Sequence, residues 1–297
     1  MSLRDFALLV GVCLVWATNS VMSKIVISGL GAPPLFYAAA RFAVVVLVTA
    51  PWLLPAPRPV WRMVVVGLLM GAGSFALSFV GLQTVSPSDF AVVGQVGVPI
   101  STVLSMVMLG ERVHWRRGLG IALALGGVII VMVSPKGLTP SVGMLFIAAS
   151  ALSGSLGAVM MKQIDGVRPL QFQAWVGVCS FLPLAALSLV VEHDQMKVVH
   201  DALWPFVGAV LFSALVVSVF AHTNYYGLIN RYDVNLLQPL TLMMPLMTIG
   251  LGVIVTHDPF GPRQAIGAVV ALAGVLIIAL RRNHVAPLLL LMRNRAL

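Results

Sequence analysis

Charge is what this chain has least of. Of its 297 residues nine are Asp or Glu and eighteen are Lys or Arg, together 9%. No acidic residue falls in the middle of an apolar run. That argues against a pump relaying protons through buried carboxylates, and it leaves an intramembrane enzyme without paired acids. A glycine-lysine phosphate loop is absent, so ATP is not used by this chain. There are two cysteines, Cys13 and Cys179, both inside apolar runs. They offer neither a disulfide framework nor a metal site, and read as buried small hydrophobes. No cofactor is expected. The first apolar stretch is followed by no small-x-small cleavage site: Trp16, Asn19 and Lys24 stand where one would be, so it reads as a retained helix.

What is present is apolar surface. Nonpolar residues make up 60% of the chain, and mean hydropathy is +1.03. A soluble domain of this size could not hide so much. A spanning helix takes ~20 mostly apolar residues. Ten such segments are legible: 6–27, 32–54, 63–83, 89–109, 117–134, 142–161, 169–190, 204–228, 234–256 and 264–280. Turn signals separate them, among them Gly31–Pro34, Pro55–Pro59, Ser134–Pro140 and Pro259–Pro262. Strands of a membrane barrel would alternate apolar and polar residues, which these runs do not. The expected fold is an all-α membrane protein of ten transmembrane helices.

The net charge of +9 would suggest nucleic acid in a soluble protein. Here the cations sit in the connections, and no nucleic-acid partner is expected. With the N-terminus inside, thirteen basic residues, among them Arg4, Arg58, Arg112, Arg168, Arg231 and Arg281, fall on the inner side. Four, Lys24, Lys136, Lys197 and Arg263, fall outside, and Arg41 lies within a span. The bias places both termini in the cytoplasm of a cell (inner) membrane protein, with 192–203 as the longest outer connection.

The chain also resembles itself. Val21-Met22-Ser23-Lys24 matches Val159-Met160-Met161-Lys162, and Pro34-Leu35 matches Pro169-Leu170. Val98-Pro99 matches Met244-Pro245, and Gly120 and Gly127 match Gly267 and Gly274. The matches keep their order. Because five helices per half is odd, the second half enters from the other side. The expected organisation is two inverted five-helix repeats, 1–137 and 138–282, around a central cavity, then a cytoplasmic interfacial tail over 283–297.

Several short motifs carry a resemblance. Trp16-Ala17-x-Asn19 followed by Lys24, Arg41-Phe42, Leu109-Gly110-Glu111-Arg112, the Gly118–Val128 pattern and Asn230-Arg231-Tyr232-Asp233 run in order along the chain. Together they resemble the drug/metabolite transporter superfamily, EamA branch, and within it the O-acetylserine/cysteine exporter group. Ala17 stands where that family has Gly, and Thr256-His257-Asp258 stands where its second half has Gly-Glu-Arg. The resemblance implies ten helices around a central cavity and export of amino acids or related small metabolites.

The polar residues of the spans are candidate cavity residues, each with a structural alternative. Asn19 either lines the cavity with Trp16 or bonds between helices. Gln95, Pro99 and Thr102 share one face of span 4; Gln238, Thr241 and Pro245 share the matching face of span 9. Each proline removes a donor and frees the carbonyl one turn back, at Gln95 and Thr241, either beside a cavity or in a simple kink. His222 is either a proton carrier or a bonded structural histidine, with Tyr225 one turn away. The expected substrate site is Trp16, Asn19, Gln95, Pro99, His222, Tyr225, Gln238, Thr241 and Pro245. Arg41 either contacts a substrate charge, snorkels outward or caps neighbouring carbonyls. Glu111 and Arg112 read as a cytoplasmic gate or anchor. Gly67-x-x-x-Gly71 suits close packing, within the chain or in a weak homodimer. The expected activity is alternating-access export of a small polar metabolite, most simply an amino acid. The alternative is transport of another small solute, a drug, vitamin or nucleotide-like compound, with the inward direction left open. An intramembrane enzyme and a channel fit less well.

Overall fold

The structure is a computed structural model. It describes residues 1–109, 115–132, 141–161, 163, 164, 166–232, 237 and 240–279, without the side chains of 109, 117, 226, 229, 230 and 279. Glu111, Arg112, Gln238, the boundary at 137/138 and the tail over 283–297 lie outside the described residues.

Among the described residues every regular element is a helix. Seven are long and apolar enough to cross a membrane: α1 (Leu3–Gly29), α2 (Pro34–Trp52), α3 (Val60–Leu82), α4 (Pro87–Met108), α6 (Val142–Met161), α7 (Pro169–Val191) and α9 (Leu203–Tyr225, its helix running on through Arg231). Three shorter apolar helices complete the set: α5 (Trp115–Met132), α10 (Met243–Val255) and α11 (Pro262–Ala279). The short α8 (Gln195–Asp201) lies in the connection after α7. Side chains on the outer surface are apolar: Leu47, Leu189, Ile254 and Val269 are 68–78% exposed. Water would penalise such a surface, and lipid does not.

Small residues let these helices touch. A Cβ on Gly67 would meet Cys179 at 2.8 Å, and one on Gly71 would overlap the Ser180 hydroxyl. The Gly67–Gly71 pair therefore seats α3 against α7 within the chain. The α5–α11 contact is closer still. A Cβ on Gly120 would meet the Gly274 carbonyl, and one on Gly127 would meet the Gly267 carbonyl. Serines bind α6 to its neighbours: Ser150 to Ser74 (3.1 Å) and Ser78 (2.6 Å), Ser153 to the Leu69 carbonyl, and Ser155 to the Gly97 carbonyl. Such interhelical bonds contribute about 0.6–2 kcal/mol each.

Helix ends find partners inside the protein. On the face opposite the N-terminus, both Glu192 carboxylate oxygens accept the first N–H groups of α2, from Leu35 (2.7 Å) and Phe36 (2.9 Å). Asp258 accepts from the Ser88 N–H (2.8 Å) and hydroxyl (2.5 Å) at the start of α4. Lys24 donates to the last carbonyls of α3, Leu82 (2.8 Å) and Gln83 (3.1 Å). On the N-terminal face, Tyr232 donates to Asp5 (2.6 Å), with Arg231 3.7 Å from the same carboxylate.

Three local departures matter for the interior. Residues Phe212–His222 of α9 are wound as a π-helix, a form in which bonds span five residues. Pro245 was expected to kink a continuous span over 234–256. Instead α10 begins at Met243 after a turn at Leu242, so Pro245 occupies its first turn, where no helical N–H is needed. In α4 a 3₁₀ turn, Gly94–Val96, lies just before Pro99.

The α5–α11 seam predicts a clear contrast. Gly127→Leu should destabilise the detergent-purified protein by about 1–3 kcal/mol, the usual range for overpacking. Gly118→Leu, whose added carbon meets nothing within 4 Å, should unfold like the parent. Thermal unfolding followed by intrinsic fluorescence checks both.

Candidate functional site

Three cavities lie among the described helices. The first, about 270 Å³, is lined by Trp16 from α1, Gln95 and Val98 from α4, Tyr225 from α9, Thr241, Leu242, Met244 and Pro245 around the start of α10, and Val275 from α11. The second, about 50 Å³, lies among α2, α3, α7 and α9; Arg41, Phe75, Gln173, Ser218 and His222 are in its wall. The third, about 350 Å³, is a crevice toward the N-terminal face, walled by Leu8, Trp52, Arg168, Thr223, Asn224 and Arg231 among others. No carboxylate lines any of the three among the described residues.

Trp16 divides the first two. Its ring meets Tyr225 edge-on at 5.0 Å and His222 at 5.3 Å. Pairs of this kind contribute about 0.5–1.5 kcal/mol beyond burial. The indole Nε1 is buried without a hydrogen-bond partner among the described residues. His222 Nδ1 lies 2.7 Å from the Val217 carbonyl, five residues back along the π-helix. A carbonyl only accepts, so Nδ1 carries the proton. Ser218 likewise donates to the carbonyl five residues back, Ser213, at 3.1 Å. That orients its oxygen lone pairs toward α2, where Arg41 Nε (3.0 Å) and Nη2 (2.9 Å) both donate to it.

Of the residues singled out from sequence, Trp16, Gln95, Tyr225, Thr241 and Pro245 come together around the 270 Å³ cavity. His222 faces the smaller one. Asn19 is not among the lining residues: its Oδ1 accepts from Ser213 Oγ at 2.8 Å, a bond between α1 and α9. Pro99 is buried and lies outside the lining too. The snorkelling expected of Arg41 is corrected. It is 1% exposed, because Ser218 and the Phe75 face, 4.4 Å from the guanidinium carbon, hold it in the interior. Ser218, Gln173 and Thr223 were missed; each is a polar residue inside an apolar run, which was the available signal. Arg168 and Arg231 were not among the candidate site residues, yet they flank the crevice.

This geometry predicts a labelling pattern. In a variant with Cys13 and Cys179 replaced, cysteine at position 95 or 241 should react with a small thiol reagent. Cysteine at 19, packed against Ser213, should react at least tenfold more slowly. Equal rates at all three positions would contradict the placement of the cavity.

The profile of the EamA-like transporter family matches twice, over residues 5–133 and 141–280. The chain is 24% identical over 287 residues to a protein of Escherichia coli (strain K12) named "Probable amino-acid metabolite efflux pump", covering 93% of this chain and 95% of that one. A Salmonella typhimurium protein of the same name is 25% identical, with the same coverage. "Uncharacterized transporter YvbV" of Bacillus subtilis is 24% identical, covering 93% and 89%. A protein solved by crystallography shares the fold with a TM-score of 0.64 at 19% identity, over 93% of this chain and 96% of that one. The two profile matches take in nearly all of the chain, which therefore belongs to the EamA-like transporter family of the drug/metabolite transporter superfamily and is a multi-pass membrane transporter.

Proposed function

We propose that this protein exports small, net-neutral polar metabolites, amino acids or their derivatives, from the cytoplasm across the inner membrane by alternating access. The observation that carries the reading is the 270 Å³ cavity, whose walls combine aromatic and aliphatic side chains with an amide and hydroxyls and no acidic group. Such a lining suits a solute with little net charge. The direction rests on the names of the Escherichia coli and Salmonella typhimurium relatives.

In this reading ten helices cross the membrane as two inverted repeats, 1–137 and 138–282, with both termini cytoplasmic and the monomer sufficient for transport. The pairing of helices supports it. Exchanging the halves turns the α1–α10 contact into α4–α6, and α3–α6 into α1–α9, and all four contacts are present. The same exchange turns Gly120 against Gly274 into Gly127 against Gly267. The dense basic termini and the crevice arginines then face the cytoplasm, and Glu111 and Arg112 serve as an anchor there.

Two measurements test this. Proteoliposomes loaded with a mixture of ¹⁴C-labelled amino acids should release label faster than protein-free liposomes; equal release removes the cargo assignment. Reporter fusions should read cytoplasmic after Leu297 and external after Asp194. An external signal after Leu297 would sink the inverted arrangement.

A further inference from the structure

Arg41 is a cation in the interior whose compensation is incomplete. A guanidinium stays charged and can only donate hydrogen bonds. Two of its nitrogens share one neutral hydroxyl, Ser218 Oγ, and its carbon lies over the Phe75 ring. Its third nitrogen, Nη1, is buried with no hydrogen-bond partner among the described residues, although Arg41 lines a cavity. Across His222, Trp16 Nε1 is a second buried donor without a partner among the described residues, on the wall of the 270 Å³ cavity. Packing alone does not account for this, since an apolar side chain would fill the same volume without the cost of a charge. Buried donors left without acceptors in native proteins call for an explanation.

We propose that Arg41, oriented by Ser218, is an anion subsite that takes the carboxylate of the cargo, while the rest of the cargo occupies the 270 Å³ cavity beyond Trp16. The inference rests on the reading of the chain as a carrier of amino-acid-like solutes, and it adds the chemistry that selects them. The subsite cavity is about 50 Å³, room for a head group and no more. A carboxylate supplies what Arg41 Nη1 lacks: negative charge and only acceptors. Gln173, 5% exposed on the same wall, adds an amide beside it. A free amino acid is therefore carried and its carboxamide, nearly identical in shape, is not. An inorganic anion such as chloride would satisfy the same donors, so the test must separate the two.

The test uses the full chain purified in detergent, with binding read as the shift of its thermal unfolding. The probes are a mixture of neutral L-amino acids, the mixture of their carboxamides, acetate and chloride. The acids should raise the midpoint in a saturable way and acetate should do so weakly, while the carboxamides and chloride should not. Arg41→Gln should weaken binding of the acids about tenfold or more, as loss of a hydrogen bond to a charged group implies. If Arg41→Gln does not elute as a single folded species, Ser218→Ala and Arg41→Lys carry the test. Each should weaken the acids and leave the carboxamide response unchanged. Equal binding of acids and carboxamides overturns the subsite, as does chloride binding that the acids do not displace. Flux separates this from the transport reading. Equal transport of acids and carboxamides removes the subsite and leaves the transporter. Arg41-dependent acid binding without flux keeps the subsite and removes the cargo assignment.

Discussion

The bundle depends on one constraint: a helix end near hydrocarbon has no water to satisfy it, so the protein must. On the face opposite the N-terminus three charged side chains meet that demand with the right signs. Glu192 and Asp258 sit at the N-termini of α2 and α4, and Lys24 at the C-terminus of α3. Two of these caps come from the other half of the chain. The turn between α3 and α4 is thereby gripped at one end by α1 and at the other by the residue just after α10. The N-terminal face has a weaker closure. Arg231 is 67% exposed where it approaches Asp5, and exposed pairs are worth about 0–1 kcal/mol. The crevice of about 350 Å³ lies on that side. The conformation is thus tied across the Glu192 face and creviced on the other.

The interior is arranged by the π-helical winding of α9. A regular helix closes its bonds at four residues, whereas the stretch Phe212–His222 closes them at five. Ser218 and His222 both point their polar atoms back to carbonyls five residues earlier. Ser218 is then free to present its oxygen to Arg41, and the His222 ring can lie against Trp16. A chain of contacts, Asn19 to Ser213 to Ser218 to Arg41, ties α1 and α2 to α9. It is built from serines, which are small enough to leave the helices close.

Seven of the expected spans were legible because length and apolarity are local properties of sequence, and a bilayer reads them directly. The prospective cavity faces of spans 4 and 9 were legible from spacing, which brings Gln95 and Thr241 to one cavity. What escaped depended on distant partners. Nothing near Arg41 announces Ser218, 177 residues away, so snorkelling looked cheaper than burial. Asn19 carried two readings until the α9 register placed Ser213 opposite it. The break at Leu242 was hidden because a proline in a first turn and a proline in a kink look alike in sequence. Asp258 was read as a lost signature; it gained a role as the cap of a helix from the other half.

A carrier must hold its cargo and also let it go, which bears on why the interior is polar without being acidic. Had Arg41 been paired with a buried carboxylate of the protein, the pair would be satisfied and closed to any ligand. Held instead by a hydroxyl and an aromatic face, the cation tolerates the empty state and still has a donor left over. A cation over an aromatic ring gains about 2 kcal/mol or more when desolvated, comparable with the ~2.5–3.5 kcal/mol that an arginine costs at the centre of a span on insertion scales. The two nearly cancel, so a ligand needs little further stabilisation to tip the balance. The aromatic wall of Trp16 and Tyr225 in the 270 Å³ cavity adds apolar contact that is not specific to one side chain. On the assignment proposed for Arg41, discrimination resides in the small charged cavity and tolerance in the large neutral one, a division that would suit export of a class of metabolites rather than a single compound.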